Sequence, residues 1–182
     1  MRVWPVAVAV SIVSQAVCSQ PAEDAISPAA RSWIVSETMS PVDYSPMITA
    51  TTSSQPVAKD APAIFMIRCR GQRTDVLLST EGSWRASRAN ELQVDLTVND
   101  QPAVRMQWIA SSDGRTAIFK DDAIQFLRSL PDKGRIVVSV SDWEGMAHEA
   151  SFQLTGLDVI RQKIAAACKW TPTPNRAAPA RR

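Results

Sequence analysis

The chain has 182 residues, of which 45% are hydrophobic and 21% are charged. This composition is typical of a folded globular domain and excludes general disorder. The net charge of +2 arises at the two ends of the chain, because basic and acidic residues nearly balance between residues 33 and 170. A nucleic-acid-binding surface is therefore not indicated.

The first residues have the pattern of a signal peptide, which we assign to residues 1–19. After a positively charged start, the apolar run from Val3 to Val13 is too short to span a bilayer comfortably, and small residues follow it. We therefore expect an exported protein, periplasmic or secreted. Cys18 does not fit a lipoprotein site, because Val17 precedes it and Gln15 stands where such sites have leucine.

A linker at residues 20–31 is expected to precede a single domain that covers residues 32–170. In this domain, short stretches rich in β-formers are separated by turn residues, which predicts a series of antiparallel strands. Strict alternation at 91–98 places Leu92, Val94 and Leu96 on the buried face. The predicted strands are 32–38, 44–52, 63–70, 73–80, 91–98, 104–108, 115–119, 135–140 and 147–154.

Two helices are predicted beside the strands. The first covers 121–130, where acidic residues favour the start and Pro131 the end. The second covers 155–170, with a capping box formed by Thr155 and Asp158. These elements predict a mainly β fold, an antiparallel β-sandwich or half-barrel with one short medial helix and one C-terminal helix. Residues 171–182 are basic and rich in Pro and Ala, which predicts a disordered tail.

Two cysteines remain in the predicted mature domain. Cys69 lies in a buried strand, and Cys168 lies on the apolar face of the C-terminal helix. Export permits a disulfide, and two cysteines allow one pairing. Closing a loop of about 100 residues stabilises a fold by roughly 4–5 kcal/mol at most. The alternative is a pair of separate buried thiols, and a zinc site would need more ligands than these cysteines and one histidine supply.

No catalytic residue, metal site or cofactor is predicted from the sequence. His148 lacks a serine in a nucleophile-elbow pattern, so a structural role is expected for it. Asp113, Asp121 and Asp122 lack the spacing and the distal glutamate of an EF-hand loop, and helix capping is the expected role of this cluster.

Two groups of residues are candidates for a ligand or partner surface. Arg68, Arg70 and Arg73 surround a hairpin turn and could bind a carboxylate or phosphate. The other interpretation is that they are solvated charges that protect a sheet edge. Trp84 and Trp143 lie in loop-like surroundings, where an exposed indole could contact a partner.

Six short motifs follow one another along the domain in a characteristic order. They are Trp33 to Asp43, Ile67 to Thr74, Trp108 to Gly114, Phe126 to Leu130, Phe152 to Asp158, and Ala167 to Trp170. Together they resemble the VasI/TagO family of type VI secretion-associated proteins, over roughly residues 32–170. The resemblance implies an accessory envelope protein of a contractile secretion apparatus with no established reaction. The two cysteines of the family pattern fall on Cys69 and Cys168.

We therefore expect a non-enzymatic exported envelope protein that acts by binding another protein, with type VI secretion components as candidate partners. Neither nucleic-acid binding nor a transmembrane span in the mature chain is expected. One alternative is a stand-alone periplasmic module that binds an anionic ligand or glycan at Arg68, Arg70 and Trp84. Another is a small hydrolase that uses His148.

Overall fold

The computed structural model describes residues 33–55, 62–80, 84, 90–141 and 147–171. The predicted signal peptide, the linker at 20–31, Trp143 and the tail beyond Thr171 lie outside these residues.

Nine strands and two helices make up the described part of the chain. The strands are β1 Ile34–Met39, β2 Pro46–Ser53, β3 Ile64–Arg70, β4 Arg73–Ser79, β5 Glu91–Val98, β6 Val104–Ala110, β7 Thr116–Phe119, β8 Arg135–Ser141 and β9 Ala147–Gln153. The helices are α1 Ala123–Ser129 and α2 Leu157–Ala167.

All nine strands belong to one antiparallel sheet in the order β1-β2-β3-β4-β7-β6-β5-β8-β9. The first four strands form a meander, and β5 to β7 form a second meander that joins the first through β4 and β7. The prediction of a mainly β, antiparallel fold with a medial and a C-terminal helix is confirmed.

The sheet curls until strands from its two halves approach each other. Gln55, just after β2, forms an antiparallel bridge with Ser151 of β9. Across the interior, the ring centroids of Phe65 in β3 and Phe152 in β9 are 5.7 Å apart. Of the two architectures predicted, the single curved sheet corresponds to the half-barrel.

The core fills the concave face of this sheet. Alternation along β5 buries Leu92, Val94 and Leu96, as predicted, and Trp108 of β6 is fully buried opposite Leu92. Side chains that alternate along a strand point to opposite faces, so each of these strands contributes one apolar row to the core.

Both helices lie at the end of the half-barrel where the β3–β4 and β5–β6 turns are found. Helix α1 begins at Asp122, whose carboxylate accepts hydrogen bonds from the backbone N–H groups of Ile124 and Gln125, both at 2.9 Å. This confirms the predicted capping role of Asp122.

Helix α2 begins differently from the prediction. Its N-cap is Gly156, with φ of 89°, and not Thr155, so the predicted capping box, which has Thr155 as N-cap, is wrong. The chain must turn from β9 into the helix within three residues, and Gly156 takes the left-handed conformation that glycine adopts without steric cost.

A disulfide between Cys69 and Cys168 joins the C-terminal end of α2 to β3. The two Cα atoms are 5.7 Å apart, and the residues are 99 positions apart in the chain. The predicted pairing is confirmed. It closes the chain from the end of β3 to the end of α2 into one covalent loop, which restricts the unfolded chain more than a short loop would.

Breaking this disulfide should lower the free energy of unfolding by about 4 kcal/mol. Chemical denaturation with and without reductant measures the loss. Cys69→Ser, Cys168→Ser and the double variant should be equally destabilised, because each removes the same bond. Additive losses in the double variant, or two free thiols by mass spectrometry of the non-reduced protein, would contradict this expectation.

Candidate functional site

The helix end of the half-barrel carries two surface grooves. The inner faces of β3, β4, β5 and β6 reach this end, and α1 and α2 lie across it. Two grooves result, one on each side of α1.

Trp170 fixes the last turn of the domain against the sheet and against α1. Its indole N–H donates a hydrogen bond to the hydroxyl of Thr74 in β4, at 2.8 Å. The guanidinium of Arg128 lies 5.7 Å from the Trp170 ring centroid and donates to the carbonyl of Thr171. The disulfide, the bond to Thr74 and the contacts with Arg128 together anchor the end of α2 at three points.

Arg161 of α2 connects the two helices directly. Its Nη1 donates to the carbonyl oxygens of Leu127 and Leu130 at the C-terminal end of α1, at 3.0 and 2.9 Å. It also forms an ion pair with Asp132. Partial burial lowers the pKa of Arg161, but a guanidinium keeps its charge at physiological pH. Arg161 thus satisfies carbonyls that the end of α1 leaves unpaired.

The first groove, the apolar groove, lies between α1 and the β5–β6 hairpin and has a volume of about 340 Å³. Its walls are the apolar side chains Leu96, Val98, Pro102, Val104, Met106, Phe126, Leu130 and Pro131. Asn99, Gln101 and Ser129 complete its lining, so no charged side chain lines it.

The apolar groove continues the core toward solvent. Along the inner row of β6, burial decreases from Trp108, which is fully buried, through the partly buried Met106 to Val104, which is 54% exposed. The hairpin tip that forms one wall is held in place by Asn99, whose side-chain oxygen accepts from the N–H of Arg135 at 3.0 Å. This hydrogen bond holds the wall of the groove that the sheet contributes.

The second groove, the interhelical groove, lies between α1 and α2 and is wider and more open. It has a volume of about 540 Å³ and is lined by Gln125, Arg128, Ser129, Arg161, Gln162, Ala165 and Trp170. The cationic side chains in it are already bonded to carbonyls or to Asp132. Their first role is to hold the helices together.

The predicted arginine cluster is largely occupied by an internal ion pair. Asp75 of β4 is buried and lies between Arg68, at 2.9 Å, and Arg73, at 3.1 Å. The interpretation of these arginines as charges on a sheet edge is wrong, because β3 lies between β2 and β4. Long-range strand pairing, which the local sequence does not reveal, placed β3 inside the sheet.

Arg70 lies on the same face of β3 as Arg68, as predicted, and near the β1–β2 turn. Hydrogen bonds from the side chains of Ser40 and Ser45 lower the pKa of Asp43, and the positive charge of Arg70 lowers it further. The three arginines therefore have different surroundings and do not form a shared anion site.

Trp84 does not lie on the predicted exposed surface, because its side chain is only 9% exposed. Its backbone N–H donates a hydrogen bond to the carbonyl of Gly114. Its ring packs edge-on against the ring of His148, and the two ring centroids are 6.1 Å apart. Trp84 follows the end of β4 opposite to Arg73, and a seven-residue strand spans roughly 20 Å. Trp84 and the arginines are therefore not parts of one site.

Two further features concern metals and membranes. Among the described residues, no group of three or more His, Cys, Asp or Glu side chains is placed to hold a metal ion. No helix in that part of the chain is long and apolar enough to cross a membrane.

The apolar groove was not predicted from the sequence, although the sequence contains one signal for it. The alternation that marks Met106 and Trp108 as inward extends back to Val104, at the edge of the hairpin turn. An inward row that begins at a turn can extend beyond the core, but the position of α1 decides whether it is covered.

A family model described as type VI secretion system VasI, EvfG matches residues 8–170 of the chain. No curated protein matches the chain, and neither does any solved structure.

Replacing Asp75 tests whether the arginine cluster is structural. Asp75→Asn should lower the free energy of unfolding by roughly 2 kcal/mol, because it leaves the half-buried Arg68 without its partner. Arg73→Gln is the matched control and should change it by less than about 0.5 kcal/mol, since Arg73 is mostly exposed. Urea denaturation measures both, and equal effects would contradict this account.

Proposed function

The chain belongs to the VasI family of the type VI secretion system, and on this premise we propose that it binds another protein of that apparatus through the apolar groove. In this proposal the protein is exported and acts without catalysing a reaction. Family membership supports the choice of a type VI secretion component as the partner. The apolar groove is the surface to which we assign the binding.

The single observation that carries the proposal is the uncovered end of the inner row of β6. Val104 is 54% exposed although it stands in line with the core residues Met106 and Trp108. Apolar surface that is left open in a rigid concave site favours a partner that removes it from water, by roughly 25 cal/mol per Å² buried.

The lining of the apolar groove defines the chemistry of the partner. Because no charged side chain lines it, an anionic group would enter without a compensating charge, whereas an aromatic or aliphatic side chain would lose only its contact with water. The amides of Asn99 and Gln101 at the rim can bond the backbone of the entering segment. We infer that one or two apolar side chains of a partner protein occupy the groove.

The proposed export is supported by the covalent bond between Cys69 and Cys168. Disulfides persist in oxidising compartments such as the periplasm and are rare in the cytosol. The rival hypothesis of an anionic ligand at Arg68, Arg70 and Trp84 has less support. Arg68 already pairs with Asp75, and Trp84 is buried beyond the far end of β4.

Site-specific photocrosslinking tests the proposed binding surface. A photoreactive phenylalanine analogue at Val104, in cells that assemble the apparatus, should give a crosslinked product that contains a secretion component. The same analogue at Val159, a residue of α2 that is 46% exposed and does not line the groove, is the control. Equal products from both positions would contradict binding through the groove.

Val104→Asp should weaken the association at least tenfold, because the carboxylate would be desolvated against the partner. Val159→Asp should leave it unchanged. Melting temperatures should stay close to the wild type in both variants, since both side chains are about half exposed. The amount of the crosslinked component that co-purifies with each variant measures the effect, and undiminished recovery with Val104→Asp would overturn the proposal.

A further inference from the structure

Among the residues that the structure describes, strand β1 leaves one whole backbone edge without a partner. It is the terminal strand of the sheet and pairs only with β2. The curl of the sheet brings Gln55, which follows β2, to Ser151 of β9, so the two ends of the sheet do not close through β1. An unpaired edge of this kind is a template for the addition of another strand.

The hydrogen-bonding pattern identifies which residues face outward. The N–H of Ser40 bonds the carbonyl of Ser45, and these two residues continue the β1–β2 register. Bonded pairs alternate with non-bonded pairs in an antiparallel ladder. Thr38, Ser36 and Ile34 therefore bond β2.

The odd-numbered residues of β1, Val35, Glu37 and Met39, then direct their N–H and C=O groups to the open edge. The next pair of strands agrees with this assignment. The N–H of Ser54 bonds the carbonyl of Ala63, so the even-numbered residues of β2 bond β3 and the odd-numbered ones bond β1.

Of the side chains that usually prevent strand addition, strand β1 carries a single one, the exposed charge of Glu37. Strand β1 contains no proline and no lysine, the residues that most often protect a sheet edge. Ile34 is 71% exposed and Met39 is 58% exposed, and Val42 and Tyr44 in the following turn are each 77% exposed. The edge thus combines unpaired backbone groups with apolar side chains at both of its ends.

Glu37 gives this edge its selectivity. It is the one charged residue of β1, it is exposed, and it forms no ion pair among the described residues. A second copy of the chain that used all three outward-facing residues would place the two copies of Glu37 directly opposite each other. Opposed like charges destabilise a strand pair, whereas opposite charges stabilise it.

We propose that β1 is a second interaction surface, which binds an extended segment of a partner protein by antiparallel strand addition. Directly opposed residues lie on the same face of a sheet. The segment therefore carries a lysine or arginine opposite Glu37 and apolar residues opposite Val35 and Met39. Its pattern is apolar-x-basic-x-apolar. This surface shares no residue with the apolar groove, so the two can be tested separately.

Fluorescence anisotropy with labelled peptides tests the proposal on the full mature protein. The probe is a nine-residue peptide with Val-Thr-Lys-Thr-Val at its centre and serine and threonine at its ends, and the comparison peptide has glutamate in place of lysine. The lysine peptide should bind about fivefold more tightly, the ratio expected when an opposed charge pair replaces a like-charge pair. Equal binding of the two peptides would overturn the proposal.

Three variants locate the site. Glu37→Lys should reverse the preference, and Glu37→Pro should abolish binding, because proline removes an outward N–H without removing a bond to β2. Glu149→Lys on β9, at the opposite end of the sheet, is the control and should keep the lysine preference. If Glu37→Pro lowers the melting temperature, its loss of binding could come from unfolding, and Glu37→Lys is then the deciding variant. A Glu37→Lys protein that still prefers the lysine peptide would refute the site.

Amide hydrogen exchange gives an independent readout. Saturation with the lysine peptide should slow exchange at Val35, Glu37 and Met39, and leave Ser36 and Thr38 unchanged, because those two amides already bond β2. Slowed exchange along β9, or none along β1, would contradict strand addition at this edge.

Discussion

The covalent bond between Cys69 and Cys168 is the constraint on which the helix end depends. Helix α2 begins at a glycine, which has no side chain to cap it, and one isolated helix of this length is marginally stable in water. The disulfide holds its end against β3, and Trp170 can then reach Thr74 of β4. A helix that would fray alone is thus held at its C-terminal end, while Leu157, Ile160 and Ile164 pack into the core.

Arg161 transmits this constraint from α2 to α1. Helix α1 has only seven residues, and the bonds from Arg161 to Leu127 and Leu130 fix its C-terminal end. Phe126 of α1 and Leu130 at its end then form one wall of the apolar groove, opposite Leu96 and Val104. The apolar groove is therefore set by the position of a short helix, and that position depends on two polar contacts and the disulfide beyond them.

The family and the structure contribute different kinds of information. Membership of the VasI family places the chain in type VI secretion, but a family relationship does not say which surface is used. The structure offers two surfaces of different character. The apolar groove suits a desolvated side chain, whereas the edge of β1 suits an extended backbone with a basic residue. One domain could in this way contact two segments at once.

Local pattern in the sequence was sufficient for most of the fold. Alternation with a period of two residues located the strands and the inward face of β5, and the number of cysteines determined the disulfide. Alternation is a local pattern, and the number of cysteines is a property of the composition. Neither depends on which distant segments pack together in the fold. The local sequence did not reveal that Arg68 pairs with Asp75 or that β3 lies inside the sheet, because the pairing of β3 with its two neighbouring strands fixes both.

Tertiary structure alone decided what is buried and what remains open. Trp84 stands among polar residues in the sequence, yet it is buried, because the chain brings its ring against His148 of β9. Val104 continues an apolar row, yet it is exposed and lines the groove beside α1. Burial depends on which elements pack together across the curved sheet, and no local pattern contains that information.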